Sequence, residues 1–330
     1  MRKHSNADGP HEIHIPTGDG HVLKGHWWRH AESTDRTMDV PVVVINPATS
    51  VAARYYYRFA AYLQHHGMDV LTYDYRGIGL SRPEELRGFE AGWLIWGERD
   101  FEAVLQWLSA NRPGRSVDVV AHSVGGFVTG LAASAHRVRR VCMVAAQLGY
   151  WRDFHPAHRT RMWWKWQFVM PLLATLLGYF PGQRLGWLED TPKGVVCDWT
   201  QKMRRLEDAW GCSGPERLLA ERKQLVERCA NMRAPILSIG IEDDAFGTRS
   251  ALERLLGYFP FTERVHVRVA PESVGASRIG HFAFFHDRFE HSLWPLALGW
   301  LQSGELTAAM QQAAPHHVVP ALRCPSLEAY

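Results

Sequence analysis

The sequence predicts an α/β protein in which a doubly wound, mostly parallel sheet is opened by an antiparallel hairpin and interrupted by a helical cap insertion. Three observations carry that prediction. Short runs of β-branched residues with almost no polar alternation recur along the chain, helical spacing fills the gaps between them, and one long segment breaks the pattern. At 330 residues the chain can bury a sizeable core.

The hairpin comes first. Residues 12–16 and 21–28 are extended runs on either side of Thr17-Gly18-Asp19-Gly20, a turn signal. Residues 40–46 then form the first run suited to burial on both faces of a parallel sheet, and helical spacing follows over 53–66. Residues 68–75 and 117–121 repeat the strand pattern, with a helix over 98–110 between them. Residues 138–145, 235–241 and 264–270 complete the set, with a helix over 250–258 before the last. Right-handed crossovers lay such strands side by side in parallel. Between Ala146 and Pro235 the alternation stops for far longer than an ordinary connection. That insertion reads as helices and loops and carries Trp151, Trp163, Trp164, Trp166, Trp187, Trp199 and Trp210, half of the chain's 14 tryptophans. Emerging at the carboxyl edge of the sheet, it would cover the place where open α/β folds bind ligands. The expected organisation is an α/β core over 10–150 and 233–304, a Trp-rich helical cap over 151–232, and a loosely attached, aperiodic tail over 305–330.

Composition narrows the function. The 37 Lys+Arg against 34 Asp+Glu leave a formal +3, too weak and too evenly spread to point to nucleic acid or an anionic membrane, so a neutral or amphipathic small molecule is the expected partner. The 5 cysteines are odd in number, scattered and without a C-x-x-C pair, which indicates neither a disulfide framework nor a zinc site and implies a reducing compartment. Residues 1–8 are polar and lack the apolar core of a secretory signal. The apolar stretch over 168–180 is broken by Pro171 and Gly178 and is too short to span a bilayer. A cytoplasmic protein without stable membrane insertion is expected, its oligomeric state left open.

The chemistry gathers around Val119-Val120-Ala121-His122-Ser123-Val124-Gly125-Gly126, where a buried run passes directly into helical sequence. A serine in a sharp strand-to-helix turn needs small residues two places before and after it, and Ala121 and Gly125 meet that need. The turn sets the Ser123 hydroxyl near the positive end of the following helix and offers the Val124 N–H to a developing oxyanion. A second donor is expected from Asn46-Pro47-Ala48-Thr49-Ser50; since Pro47 has no N–H, it is Ala48 or Thr49. The acid should follow the strand after the cap, where Asp243 and Asp244 compete and Asp244 is favoured by its distance from the next helix. Among 18 histidines, His281 stands out because it follows Ile279-Gly280 on the loop after the last strand, whereas His286 falls in expected helix. Asp74 and Arg76, at the end of the second buried run, read as loop-locking ion-pair residues. Trp93, Trp96, Gly97 and Asp100 read as the packing and cap of the next helix, and most cap tryptophans as core.

With these residues assembled, the chain resembles the α/β-hydrolase superfamily, and more narrowly a bacterial group related to the serine aminopeptidase and monoacylglycerol-lipase-like branch. The resemblance runs from about Gly20 to Leu301 and rests on Tyr56-Tyr57-Arg58-Phe59-Ala60, Asp74-Tyr75-Arg76-Gly77-Ile78-Gly79-Leu80-Ser81, the Ser123 elbow, Gly178-Tyr179-Phe180-Pro181-Gly182, Asp243-Asp244 and Ile279-Gly280-His281-Phe282. It implies an α/β-hydrolase fold and a triad on Ser123, Asp244 and His281, with no metal or cofactor. Serine at the elbow separates the chain from the haloalkane dehalogenases and epoxide hydrolases, which carry aspartate there. The expected activity is cleavage of an ester, thioester or amide of an apolar acyl group through an acyl-enzyme. The alternatives are an acyltransferase, a peptidase whose substrate amine meets Glu189 or Asp190, a lyase, and a non-catalytic binding module.

Overall fold

The computed structural model describes residues 9–30, 40–200, 205, 215–306 and 316–318. The chain opens with β1 (His11–Pro16) and β2 (Val22–Trp28), antiparallel with Pro16 opposite Val22. The turn between them closes where the Thr17 N–H donates to the His21 carbonyl at 2.8 Å, and Gly20 takes the positive φ of 87° that the reversal requires. One face of the hairpin, with Ile15 and Leu23, is buried.

From there strands and helices alternate. In order they are β3 (Val42–Asn46), α1 (Tyr57–His65), β4 (Asp69–Tyr73), α2 (Trp93–Ile95), α3 (Glu102–Asn111), β5 (Val117–His122), α4 (Val124–Leu131) and β6 (Val138–Val144). The insertion follows with α5 (Pro156–Trp164), α6 (Met170–Leu177), β7 (Tyr179–Phe180), β8 (Thr191–Pro192), α7 (Lys193–Thr200) and α8 (Pro215–Asn231). β9 (Ile236–Ile241), α9 (Arg249–Leu256), β10 (Arg264–Val269), α10 (Trp294–Ser303) and β11 (His316–Val318) complete the chain. The main sheet runs β1-β2-β4-β3-β5-β6-β9-β10-β11, parallel from β4 to β10 and antiparallel at both ends. β7 and β8 pair separately in the insertion.

Each central strand feeds both faces of the sheet because successive side chains point to opposite sides. Val42, Val44, Val119 and Ala121 pack on one face with Phe127, Val128 and Leu131 of α4 and with Leu225 and Cys229 of α8. Val43, Ile45, Val120 and Cys142 pack on the other with Phe59 and Leu63 of α1 and Trp294 and Trp300 of α10. That two-sided burial is why these strands read as unbroken apolar runs. A third, smaller core sits in the insertion, where Trp166, Met170 and Ala174 meet Phe154, Phe180 and Val196. Among the described residues no helix is long and apolar enough to cross a membrane.

The strand order fixes where a site can be. From β3 the chain crosses to β4 on one side and next returns to β5 on the other, so the β3 and β5 loops diverge at a switch point, with Asn46 paired to Ala121. Asn46–Ser50 and Ser123 therefore emerge side by side at the carboxyl edge.

Four expectations need correction. The helix foreseen over 98–110 is regular only from Glu102, because a wide π-helical turn over Trp96–Phe101 precedes it. Asp100 lies in that turn and caps nothing: its carboxylate accepts from the Arg76 N–H at 2.9 Å and Nε at 2.6 Å. Arg76 also bridges to Asp19 at 2.6 Å, whereas Asp74 makes no ion pair among the described residues and instead accepts from the Ala53 and Leu80 N–H groups. Finally, the tail is not wholly aperiodic, since β11 pairs with the open side of β10, His316 opposite Val267, and satisfies that edge. The rest of the tail expected beyond residue 306, and Trp210, lie outside the described residues.

Arg76 and Asp100 are 4% and 0% exposed at their side chains, so removing the cation strands a buried carboxylate. Arg76→Met is expected to lower stability by about 3–5 kcal/mol, read as a shift in the urea midpoint. Adding Asp100→Asn should recover part of the loss, and an unchanged midpoint in the single variant would show the pair to be energetically neutral.

Candidate active site

Ser123 sits in a backbone conformation that L-residues avoid, with φ 53° and ψ −121°. The fold tolerates it because the neighbours are small. A Cβ on Gly125 would lie 2.3 Å from the Asn46 carbonyl oxygen, and one on Gly126 would lie 2.6 Å from the Ala146 Cβ. α4 thus packs directly against the ends of β3 and β6, and the Ser123 hydroxyl is pushed up from the sheet edge.

His281 is delivered by the loop after β10, which turns at Gly280 with φ 66°. Its Nε2 lies 3.0 Å from Ser123 Oγ, and its Nδ1 lies 2.7 Å from Asp244 Oδ2. A carboxylate only accepts, so Nδ1 carries the proton and Nε2 accepts from the serine hydroxyl. The other Asp244 oxygen accepts from the Phe246 N–H at 2.7 Å. Burial alone would push the Asp244 carboxyl up; its electrostatic interaction with His281 and the hydrogen bonds from His281, Gly247 and Phe246 outweigh it and hold the carboxyl below its usual range. Gly247 permits this approach, since a Cβ there would come within 2.4 Å of Asp244 Oδ2.

The adjacent aspartates divide their work. Asp243 does not face the imidazole; its carboxylate accepts from the Ile279 N–H at 3.0 Å and the Gly280 N–H at 2.8 Å. It therefore grips the loop on which His281 rides. The structure brings Ser123, His281 and Asp244 together and sets Asp243 one step away.

The loop after β3 also resolves. The Ala48 N–H donates to Tyr56 Oη at 2.9 Å, whereas no partner for the Thr49 or Val124 N–H is found among the described residues. Ala48, Thr49 and Val124 all line the cavity beside Ser123, and among the described residues the N–H groups there that have no partner are those of Thr49 and Val124.

Sequence reasoning missed two partners. Tyr56 Oη lies 2.8 Å from His122 Nδ1, and His122 Nε2 lies 2.9 Å from the His281 carbonyl oxygen. Since Nε2 must donate to that carbonyl, Nδ1 accepts from the Tyr56 hydroxyl. A neutral His122 thus links the β3 loop, the elbow and the His281 loop. Burial, reinforced by the nearby His281, depresses His122 to about 3. Gln147, in the loop that follows β6, is the second: its Nε2 lies 3.5 Å from Ser123 Oγ while its Oε1 accepts from the Gly149 N–H. Adjacency of His122 to the elbow serine was the one available signal; Gln147 carried none.

A cavity of about 310 Å³ opens above Ser123. Its floor includes Thr49, Gln147, His281 and Phe282, and the insertion roofs it with Trp166, Met170, Phe180, Trp187 and Trp199. Trp166 and Trp199 stack with centroids 5.6 Å apart. Trp151, Trp163 and Trp164 do not line it. Lys165 does, with its ammonium 3.2 Å above the Trp187 ring centre. Such a space suits a largely apolar ligand with a few polar contacts at one end.

Residues 39–257 match the family model described as serine aminopeptidase, S33. The chain belongs to that family. It is an α/β-hydrolase, and the fold agrees with solved structures of low identity. A soluble variant of monoglyceride lipase from Saccharomyces cerevisiae, in complex with a substrate analogue, is 14% identical with TM-score 0.60, covering 92% of this chain and 100% of that one. DcsB with its substrate analogue is 14% identical with TM-score 0.58, covering 90% and 100%. The Pyrococcus furiosus esterase Pf2001 is 16% identical with TM-score 0.52, covering 89% and 92%. No curated protein matches.

For this S33-family hydrolase the hydrogen bonding of His122 makes a direct prediction. Its ring should stay neutral from pH 8 to pH 5, seen as unchanged imidazole nitrogen shifts in labelled protein compared with His122→Asn. Unfolded, the ring titrates near 6.5, so protons favour the unfolded chain below that value, and this part of the stability falls as pH drops toward 3. A His122 signal that titrates near 6.5 in the folded protein would contradict the bonding described.

Proposed function

We propose that the protein is a serine hydrolase that cleaves esters of apolar acyl groups through Ser123, His281 and Asp244. The observation that carries the reading is the unbroken line of hydrogen bonds from Asp244 through His281 to Ser123 beneath an aromatic-walled cavity. His281 Nε2 takes the hydroxyl proton as Oγ bonds to the acyl carbon, and Asp244 stabilises the imidazolium that forms. The Thr49 and Val124 N–H groups stand where the oxyanion develops. Collapse breaks the bond to the leaving alcohol, which receives the proton from His281; water, deprotonated by the same imidazole, then attacks the acyl-enzyme and frees the acid and Ser123.

An aminopeptidase reading has less support in the site, despite the family's description. Such an enzyme needs an acid for the substrate's amine, and Glu189 and Asp190 are committed to Arg54 and to Arg82. Among the described residues no carboxylate lines the cavity.

Ser123→Ala is expected to abolish turnover of p-nitrophenyl esters and labelling by a fluorophosphonate while leaving the thermal midpoint unchanged; retained turnover would sink the mechanism. Asp244→Asn should lower kcat by about 10⁴, as loss of the orienting carboxylate does in such triads. Asp243→Asn only loosens the loop and should cost about 10- to 100-fold. Similar losses in the two variants would overturn the division of labour. On a panel of esters of graded chain length, kcat/KM should rise with acyl length until the cavity is filled, and a flat profile would remove the cap from substrate selection.

A further inference from the structure

We propose that the outer face of the cap helix docks on an anionic lipid surface, from which acyl substrate enters the cavity. The delivery step rests on the hydrolase reading above, whereas the docking rests on the surface of the cap alone.

α5, the wide π-helical turn over Lys165–Val169 and α6 run on from one another through residues 156–177. The inner side, Trp166, Met170 and Ala174, is buried in the cap's own core. An ordinary surface helix would carry polar residues opposite such a stripe. This one carries Trp164, Phe168, Val169, Leu172, Leu176 and Leu177, each between 36% and 64% exposed. Leu185 and Trp187, in the loop that follows β7, are exposed as well. Contiguous apolar surface of this kind marks an interaction site.

The wide turn helps align the stripe. Residues four apart overshoot an α-helical turn and drift around the axis, and the longer π turn takes back part of that drift. Trp164, Phe168, Leu172 and Leu176 are spaced in fours across it and stay on one side.

Charge decides the occupant. Taken over the whole chain the charges nearly balance, but residues 154–188 contain no Asp or Glu and carry Arg159, Arg161, Lys165 and Arg184. The ion pairs at the base of the cap, made by Arg54, Arg82 and Arg254, use none of these four. The overall balance hid this concentration from the reading of composition. A second copy docked face to face would set cation against cation without an acid to neutralise them. Anionic headgroups over acyl chains satisfy both the cations and the apolar side chains. The face also borders the cavity, since Lys165, Met170 and Trp187 belong to the cavity wall.

The test is co-sedimentation of the full chain with vesicles of phosphatidylcholine alone, or of equal parts phosphatidylcholine and phosphatidylglycerol. Binding is expected to the mixed vesicles, weakening as salt rises, with little to phosphatidylcholine. The double variant Leu172→Ser with Leu176→Ser, and separately Arg161→Glu with Arg184→Glu, should each weaken binding by about tenfold or more. Both should leave kcat/KM on the water-soluble p-nitrophenyl acetate unchanged. Absence of binding to mixed vesicles overturns the proposal, as does equal binding to both compositions. It also falls if sedimentation velocity shows a dimer that Leu172→Ser with Leu176→Ser dissolves while vesicles bind nothing. Should the wild type leave p-nitrophenyl acetate intact, the hydrolase reading fails, and the vesicle result still stands or falls by itself.

Discussion

The site depends on a backbone forced into a turn. Ser123 holds a positive φ that costs of order 1–3 kcal/mol for a side chain with a Cβ. What holds it there is packing. α4 lies so close to the ends of β3 and β6 that Gly125 and Gly126 have no room for a methyl group. Pairing of Asn46 with Ala121 fixes the β3 loop beside the turn, and α4 begins directly from it. Relax that contact and the hydroxyl, the Val124 N–H and the Asn46–Ser50 loop lose their mutual placement together.

Electrostatics complete what packing begins, in opposite directions on the two sides of the imidazole. Asp244 is buried yet kept ionised because His281 and two backbone N–H groups offset its desolvation. His122 is buried and kept neutral, its two nitrogens spent on Tyr56 and on the His281 carbonyl. His281 meets a carboxylate and the Ser123 hydroxyl, and its neighbour His122 a phenol and a carbonyl. Asp243 adds a mechanical element by anchoring the peptide groups just before His281.

Much of this was legible in the sequence, for physical reasons that can be named. Strands buried on both faces cannot hide their composition, so β3, β5 and β9 announce themselves, and a serine between Ala121 and Gly125 after such a strand marks the elbow. Asp243 and Asp244 could be found but not separated with certainty, because which of two neighbours faces a ring is decided by the loop's path. Tyr56 and His122 are 66 positions apart, and no local pattern reports a bond of that span. Asp100 misled because an acid near a helix start resembles a cap, whereas a distant arginine had claimed it. β11 escaped because a short strand that merely closes an edge needs little pattern of its own.

The stacking of Trp166 on Trp199 in the cavity roof makes the protein an optical instrument as well. Indole rings at that spacing share excitation, and both border the cavity above Ser123. Anything that wedges into the cavity, dries it or tilts either ring alters the emission of the pair. Occupancy of the chamber can thus be followed by light alone, in unlabelled material and without turnover.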